Sequence, residues 1–231
     1  MSFNASHLPA YTPPAPARLK SPAGLATALT VLFAVVIMTD LLAVAAGLNV
    51  HFAYSSPAVG DAEATRAQTL HSFSGGPQML AFLVTGVVFI VWFRRVRGNA
   101  EVFLPGGLRM RPGWSVGCWF IPIANLWLPY QNAVDIWGAS TQAAPGGQYR
   151  HVSAAPVNAW WAVYVGGLLF ARFAVRAYEA AETADEVVSG VRLVIAGDLL
   201  DAVAAVLALL FVRKLTAMQH RKATEGPVAA A

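Results

Sequence analysis

Three aspartates lie within long apolar stretches of this sequence, and their carboxyl groups are the side chains most able to do chemistry. Asp198 and Asp201 stand three residues apart, so a helix would carry both on one face. Asp40 lies in an earlier apolar stretch. A charged aspartate at the centre of a bilayer costs about 2.5–3.5 kcal/mol on insertion scales. These carboxyl groups therefore need a partner, a proton or water.

Two interpretations of the aspartates are open. If the last two apolar stretches form an antiparallel hairpin that turns near Gly190, Arg176 comes level with Asp201, and Arg172 lies about one turn deeper. The favoured interpretation is then structural: Arg176, with Arg172 beside it, forms an ion pair with Asp198 or Asp201. The alternative is a relay that moves protons or cations within the membrane.

Signatures of enzyme chemistry are missing from the sequence. It contains no Ser–His–Asp set, no glycine-rich phosphate loop and no HExxH pair, so we expect no catalytic residue and no cofactor. Cys118 is the single cysteine, which excludes an internal disulfide and a cysteine-based metal site. His51 and His71 are far apart and are interpreted as loop histidines, so no metal is expected. No nucleic-acid motif is visible.

The composition predicts a membrane protein. The 231 residues are 57% hydrophobic and 12% charged, whereas soluble domains average about 25% charged. The apolar residues are grouped in blocks, most of them long enough to cross a bilayer. We therefore expect an all-α membrane protein with about four transmembrane helices, at residues 23–48, 77–93, 157–173 and 191–212.

The remaining segments are arranged around these spans. Residues 1–22 are rich in proline and alanine and are expected to be a disordered cytoplasmic tail. Residues 23–215 are expected to form the transmembrane domain, and residues 216–231 a second cytoplasmic tail. A polar loop is expected over residues 49–76, and Pro77 is expected to begin the second span, because a first-turn proline loses no hydrogen bond.

A proline-broken apolar segment, residues 114–137, lies between the second and third spans. Pro122 and Pro129 would each remove a helical hydrogen bond to the carbonyl four residues earlier. Asn125 lies between the two prolines and has N–H groups to offer to such carbonyls. The uninterrupted apolar part is only about 14 residues long, which is short for a full span. We expect a re-entrant or interfacial segment, with a fifth span as the alternative.

Basic residues beside the apolar stretches predict the orientation, because cytoplasmic loops are enriched in Lys and Arg. Arg18 and Lys20 place the N-terminus inside, and Arg213 and Lys214 place the C-terminus inside. We therefore expect a multi-pass plasma-membrane protein with both termini cytoplasmic. One cytoplasmic loop and its borders are expected to bind lipid headgroups through five arginines: Arg94, Arg95, Arg97, Arg109 and Arg111.

The centre of the chain resembles a known family. The residues that carry the resemblance are Trp92, Arg94, Asn99, Arg109, Pro112, Gly113, Trp114, the run Trp119-Phe120-Ile121-Pro122-Ile123-Ala124-Asn125-Leu126, then Pro129-Tyr130-Gln131 and Ile136-Trp137. In them the chain resembles the small bacterial membrane proteins of the domain of unknown function 4328. Leu128 and Asp135 depart from that pattern, which often has a basic residue and a glutamate there. The resemblance implies a membrane fold and location, and it implies no activity.

Two functions from different classes follow from these features. The favoured one is an interaction or scaffolding role within a membrane assembly. Its partners would be the lipid bilayer and either further copies of the chain or other membrane proteins. The alternative is a small transporter or ion-conducting protein, working as an oligomer, that uses Asp198, Asp201 and Asn125.

Overall fold

The computed structural model of the protein describes residues 18–56, 58–144 and 152–227. Within these residues all regular structure is helical and no strand is present, which confirms the expected all-α class. Residues 1–17 of the expected N-terminal tail lie outside the described part. The helices are α1 (Ala23–Ser55), α2 (Asp61–Phe103), α3 (Trp114–Gly117), α4 (Leu128–Ser140), α5 (Ala155–Glu179) and α6 (Ala184–Glu225), with a short 3-10 helix at Ala124–Leu126.

The four long helices pack side by side as an antiparallel bundle. α1 lies between α2 and α6, and α5 packs along another side of α6. The short α4 contacts α2, α5 and α6 near one end of the bundle. We call this the α4 end. It also holds the last turns of α6, where Gln219 donates to Ser140, and the start of α1, because Asn99 bonds both to Gln219 and to Lys20. The opposite end, where α1 connects to α2 and α5 to α6, is the hairpin end.

Three helices, α1, α2 and α6, are long and apolar enough to cross a membrane. Their outward faces carry large apolar side chains that no other part of the bundle covers, such as Met38, Leu83 and Val203. An apolar exterior of this kind is suited to lipid, because soluble proteins rarely expose large continuous apolar surface. By length and apolar surface, these three helices are therefore suited to cross a membrane. α5 has 25 residues but does not meet the same apolar criterion.

The helices extend well beyond the apolar stretches, so the polar loop expected over residues 49–76 is wrong. α1 continues to Ser55 and α2 begins at Asp61. Pro77 consequently lies inside α2 rather than at its start. The polar first turns of α2 are held by packing against the end of α1, where the Tyr54 hydroxyl donates to Gln68 Oε1 at 2.8 Å. Tertiary contacts thus extend a helix that hydropathy alone would end.

The hairpin of α5 and α6 turns earlier than the position near Gly190 that the sequence indicated. α6 begins after Thr183, whose hydroxyl accepts from the Glu186 N–H while the Glu186 carboxylate accepts from the Thr183 N–H. Gly190 lies inside α6, where a Cβ would come within 2.8 Å of Tyr178 Cα. Its role is to admit the backbone of α5, as small residues do where membrane helices cross closely.

The C-terminal boundary also differs from the expectation. α6 remains helical to Glu225, so residues 216–225 belong to the bundle rather than to a tail. Gln219, in this extension, is 1% exposed. A polar side chain this deeply buried holds the extension in place, because it needs hydrogen-bond partners inside the protein.

The proline-broken segment returns to the end of the bundle at which it started. Before it, Arg97 Nη2 donates to the Met110 carbonyl at 2.7 Å, and after it Gln219 Nε2 donates to Ser140 Oγ at 3.0 Å. α3 stops at Gly117, and Pro129 lies in the first turn of α4, where the missing N–H costs nothing. The 13 residues of α4 rise only about 20 Å, too little for a full span. The fifth-span alternative is therefore wrong.

Candidate functional site

The predicted aspartates meet a glutamine inside the bundle, and we call Asp40, Gln78, Asp198 and Asp201 the carboxylate site. Gln78 Nε2, from α2, donates to Asp40 Oδ1 of α1 at 3.1 Å and to Asp198 Oδ1 of α6 at 3.1 Å. The antiparallel order of α2, α1 and α6 brings these three positions to one level. A single amide thus joins carboxyl groups on two other helices.

Each of the two bridged carboxyl groups keeps one oxygen without a protein partner. Asp40 is 4% exposed. The Oδ2 atoms of Asp40 and Asp198 are both buried and accept no hydrogen bond. Asp201 lies one turn further along α6. Its Oδ1 atom faces α5 and lies 3.7 Å from the position that a Cβ added to Gly167 would take. The site therefore combines three carboxyl groups with spare capacity to bind a donor.

The predicted ion pair between Arg172 or Arg176 and these aspartates is not formed. In the described part of the chain the salt bridges are Arg97–Glu101 and Arg109–Asp135. Both α5 arginines, Arg172 and Arg176, are exposed on the outside of the bundle. The sequence therefore identified the aspartates but assigned them the wrong partners.

The reason is the register of the α5–α6 hairpin. A Cβ on Gly190 would lie 2.8 Å from Tyr178 Cα, and one on Gly197 would lie 3.7 Å from Ala171 Cα. In this register Arg176 lies much closer to the hairpin end than Asp201 does. The reason is that the chain turns between Glu179 and Ala184 rather than near Gly190. Long arginine side chains at such a position extend toward the membrane surface.

Neither metal binding nor the predicted contribution of Asn125 is supported at this site. Across the described residues, no three His, Cys, Asp or Glu side chains are placed to hold a metal ion. Asn125 lies in the 3-10 helix next to α4. Within the described part of the chain, no hydrogen bond joins Asn125 to the carboxylate site. The predicted set of Asp198, Asp201 and Asn125 is thus only partly brought together, and Asp40 and Gln78 complete it.

A second polar cluster lies at the α4 end and is fully hydrogen-bonded; we call Asn99, Gln219 and Ser140 the amide network. Asn99 Nδ2 donates to Gln219 Oε1 and to the Lys20 carbonyl, both at 2.9 Å, and Asn99 Oδ1 accepts from the Lys20 N–H at 2.9 Å. Gln219 Nε2 donates to the Val96 carbonyl at 2.9 Å and to Ser140 Oγ at 3.0 Å. The network joins α2, α4, α6 and the residues before α1.

Between the two polar clusters lies an aromatic cluster: Phe89, Trp92, Phe93, Trp119, Trp137, Trp160, Trp161 and Phe211. Trp160 stacks on Phe211 with ring centroids 4.7 Å apart. Trp119, from the broken segment, makes edge contacts with Phe89 at 5.6 Å and Phe93 at 5.8 Å. Aromatic side chains of this size bury large apolar areas, so the cluster separates the polar groups on either side of it.

The other residues of the broken segment mostly fasten it to the bundle. The Leu126 carbonyl accepts from Trp161 Nε1 at 3.0 Å, and the Tyr130 hydroxyl donates to Asn158 Oδ1 at 3.0 Å. The Gln131 carbonyl accepts a long bond from Arg109. Pro122 is exposed. These contacts give the segment a structural role and bring none of its side chains to the carboxylate site.

The five arginines expected at lipid headgroups do not all face outward. Arg97 is 2% exposed and pairs with Glu101 at 2.7 Å, so its assignment to lipid is wrong, because the turn after α2 folds back over it. Arg109 pairs with Asp135 at 2.7 Å, and this carboxylate raises the pKa of the guanidinium. Arg94, Arg95 and Arg111 are exposed, and headgroup contact by them stays a prediction.

Sequence reasoning missed Gln78, Gln219 and Ser140, although a signal existed for the first two. Each is a glutamine next to or within an apolar helical stretch, and a buried amide there needs a hydrogen-bond partner. In the sequence Gln78 is the second residue of the predicted span 77–93. What could not be seen from the sequence is that it faces two aspartates on different helices.

Comparison with known proteins matches the chain to a protein family. The sequence model of one protein family, described as a domain of unknown function (DUF4328), matches residues 55–217. The match covers α2 to α6 almost completely and includes three of the four residues of the carboxylate site. Neither a curated protein nor a solved structure matches the chain.

Proposed function

The chain belongs to the family of the domain of unknown function DUF4328, and we propose that it is a small membrane transporter that binds protons at the carboxylate site. One observation carries the proposal. Asp40 and Asp198 share a single amide, each has a buried oxygen without a partner, and no cationic side chain in the described residues reaches them. Ionisable groups left in this state inside a membrane are more often functional than structural.

The proposal places four helices in the bilayer. α5 is included as the fourth span because it packs along α6 and its 25 residues rise about 37 Å. Its outward face carries Leu169 and Phe173, which suit lipid. The broken segment is then interfacial or re-entrant on one side only. Exposed basic residues at the α4 end, such as Arg94 and Lys214, support placing that end and both termini in the cytoplasm of a plasma-membrane protein.

A proton fits the site better than a metal ion does. Metal cations such as Ca²⁺ and Mg²⁺ take about six or more oxygen ligands, and here the two Oδ1 atoms already accept from an N–H group. An ion at the amide would also face the positive end of the Gln78 N–H dipoles. A proton needs only one oxygen, and the free Oδ2 atoms of Asp40 and Asp198 supply two.

Gln78 is suited to serve both protonation states. Its NH₂ group now donates to two acceptors. A half-turn about its last side-chain bond would present the amide oxygen instead, which accepts from the O–H of a protonated carboxyl group. The same side chain therefore stabilises the site with or without the bound proton, at the cost of a rotation within the site.

Proton flux into liposomes tests the proposal. The purified protein is reconstituted with a pH-sensitive dye inside, and a potassium diffusion potential drives protons inward. We expect the wild-type chain to accelerate acidification above protein-free liposomes and Asp198→Asn to abolish the acceleration. Asp61→Asn, an exposed aspartate at the start of α2, is the matched control and should keep the rate.

Absence of flux in the wild-type chain would overturn the proposal. If crosslinking then recovered a stable membrane partner, the interaction or scaffolding role that the sequence favoured would take its place. Flux that survives Asp40→Asn and Asp198→Asn together would equally contradict the assigned site, because no carboxyl group bridged by Gln78 would remain.

A further inference from the structure

We propose that protons reach the carboxylate site from the hairpin end only, along the face of α2 that carries His71, Ser74 and Gln78. This inference rests on the proposed function and adds to it the side of access and the residues that provide it. The bundle would then act as a carrier that is open toward one side, rather than as a continuous proton channel.

The first observation is how the unpartnered polar atoms are distributed among the described residues. Toward the hairpin end the buried atoms without a partner are His51 Nδ1, His71 Nδ1 and the Tyr178 hydroxyl, together with Asp40 Oδ2 and Asp198 Oδ2. Toward the α4 end they are Arg97 Nε, Trp119 Nε1, Asn132 Nδ2 and Trp137 Nε1. Every side chain of the first group can take up or pass on a proton, whereas the atoms of the second group are N–H donors.

The second observation is the spacing of polar residues along α2. His71, Ser74 and Gln78 stand at i, i+3 and i+7, so they share one face of the helix, and all three are half-buried. The rise from His71 to Gln78 is about 10 Å. Ser74 lies between them, and its hydroxyl donates to the His71 carbonyl at 2.7 Å, which leaves its oxygen free to accept from water.

The groups that face this route leave it polar without adding a strong charge. From α5, the Tyr178 ring makes an edge contact with the His71 ring at 5.5 Å. From α1, Tyr54 is bonded to Gln68. From α6, the neighbouring side chains are apolar, Val187 and Val191. The arginines in the hairpin-end parts of α2, α5 and α6, which are Arg66, Arg176 and Arg192, are exposed on the outside of the bundle.

The third observation is the barrier on the other side of the carboxylate site. Continuing along the same face of α2 toward the α4 end, Thr85 is 5% exposed and its hydroxyl donates to the Ala81 carbonyl of its own helix. Beyond it Phe89 packs on Trp160 at 5.6 Å. A close-packed aromatic layer excludes water chains, so a proton can pass to the α4 end only if this layer rearranges.

Thiol labelling tests the access route without depending on flux. Ser74→Cys and Thr85→Cys are matched single substitutions on one face of α2, one on each side of Gln78. The proteins are placed in nanodiscs, which leave both membrane faces open, and are treated with a small, charged thiol reagent. The wild-type chain, which contains only the buried Cys118, gives the background.

We expect Ser74→Cys to react and Thr85→Cys to stay at background. Reaction at both positions would overturn one-sided access, and reaction at neither would overturn the route along α2. If the expected labelling is found in a chain that carries no proton flux, access stands and the proposed function fails, so the two failures are distinguishable.

A second variant pair connects access to transport. His71→Leu should lower the flux about tenfold, which corresponds to a barrier about 1.4 kcal/mol higher. His220→Leu, which removes an exposed histidine at the α4 end, should leave the flux unchanged. If Asp198→Asn abolishes flux while His71→Leu leaves it at the wild-type rate, the proposed function survives and the route is wrong. Thermal unfolding of each variant shows whether it is folded.

Discussion

The amide network at the α4 end and the carboxylate site near the middle of the bundle contain similar side chains but differ in how many of their polar atoms are paired. Each is centred on a glutamine that joins side chains from other helices. In the network, both amides are fully paired, and Gln219 donates to Val96 and Ser140. In the carboxylate site Gln78 is shared between two acids whose second oxygens have no partner.

The number of polar atoms left without a partner distinguishes a structural polar cluster from a functional one. A fully satisfied network stabilises one arrangement of helices and leaves nothing to react. A site that stays incomplete after folding lowers stability, and such departures from good packing are expected where a protein binds something. Substitutions that act on one cluster and leave the other unchanged test this distinction.

The largest effect is expected at the amide network. Gln219→Leu removes the amide that joins α2, α4 and α6 and leaves Asn99 with an unsatisfied buried donor. We expect a loss of about 3 kcal/mol in the free energy of unfolding, since each buried polar group left unpaired costs about 1–3 kcal/mol. Thermal unfolding in detergent measures it, and exposed His220→Leu is the control. An unchanged midpoint would show that the network does not stabilise the bundle.

A somewhat smaller effect is expected where α5 and α6 approach most closely. Gly190→Ala adds a Cβ 2.8 Å from Tyr178 Cα, a backbone atom that cannot move aside alone. We expect a loss of about 2 kcal/mol, within the range for overpacked sites. Gly166→Ala is the matched control, since nothing lies within 4 Å of its added Cβ. Equal midpoints for the two variants would contradict the close crossing that sets the register of Asp201.

The carboxylate site should respond with the opposite sign. Asp198→Asn removes an ionisable group whose Oδ2 atom is buried and has no cationic partner, so the free energy of unfolding should rise by about 1 kcal/mol. The same variant should lose proton flux, which separates stability from function. A fall in the unfolding midpoint, with Asp61→Asn unchanged, would mean that Asp198 is a structural residue after all.

The smallest effect is expected at the surface of the α4 end. Arg109 pairs with Asp135, but its side chain is 57% exposed. Arg109→Gln should therefore change the free energy of unfolding by less than about 1 kcal/mol, the usual limit for exposed ion pairs. A loss as large as that of Gln219→Leu would show that the broken segment is fastened mainly by this pair rather than by its aromatic side chains.

The sequence predicted which stretches are helical far better than where the helices end. Blocks of apolar residues mark the part of a helix that lies in lipid, but α2 starts 16 residues before Pro77 and α6 runs to Glu225. These polar extensions exist because they pack: Tyr54 bonds to Gln68 at one end, and Gln219 enters the amide network at the other. Hydropathy carries no information about such contacts.

The candidate site was predictable in part. Asp40, Asp198 and Asp201 were identified because a carboxyl group within an apolar stretch is costly wherever the helices lie. Their partners were not, because a partner is chosen by register. A hairpin turning near Gly190 would bring Arg176 level with Asp201, whereas the capped turn at Thr183 places it away from that level.

Composition and patterning were enough to predict an all-helical chain whose apolar stretches suit a membrane and contain acids, since the transfer of apolar residues to lipid adds up along the chain. That one glutamine bridges two of those acids, while another completes a hydrogen-bonded network, follows from how the helices pack. Which polar atoms meet depends on turns and close helix crossings, and displacing a helix by one turn replaces every partner on its face.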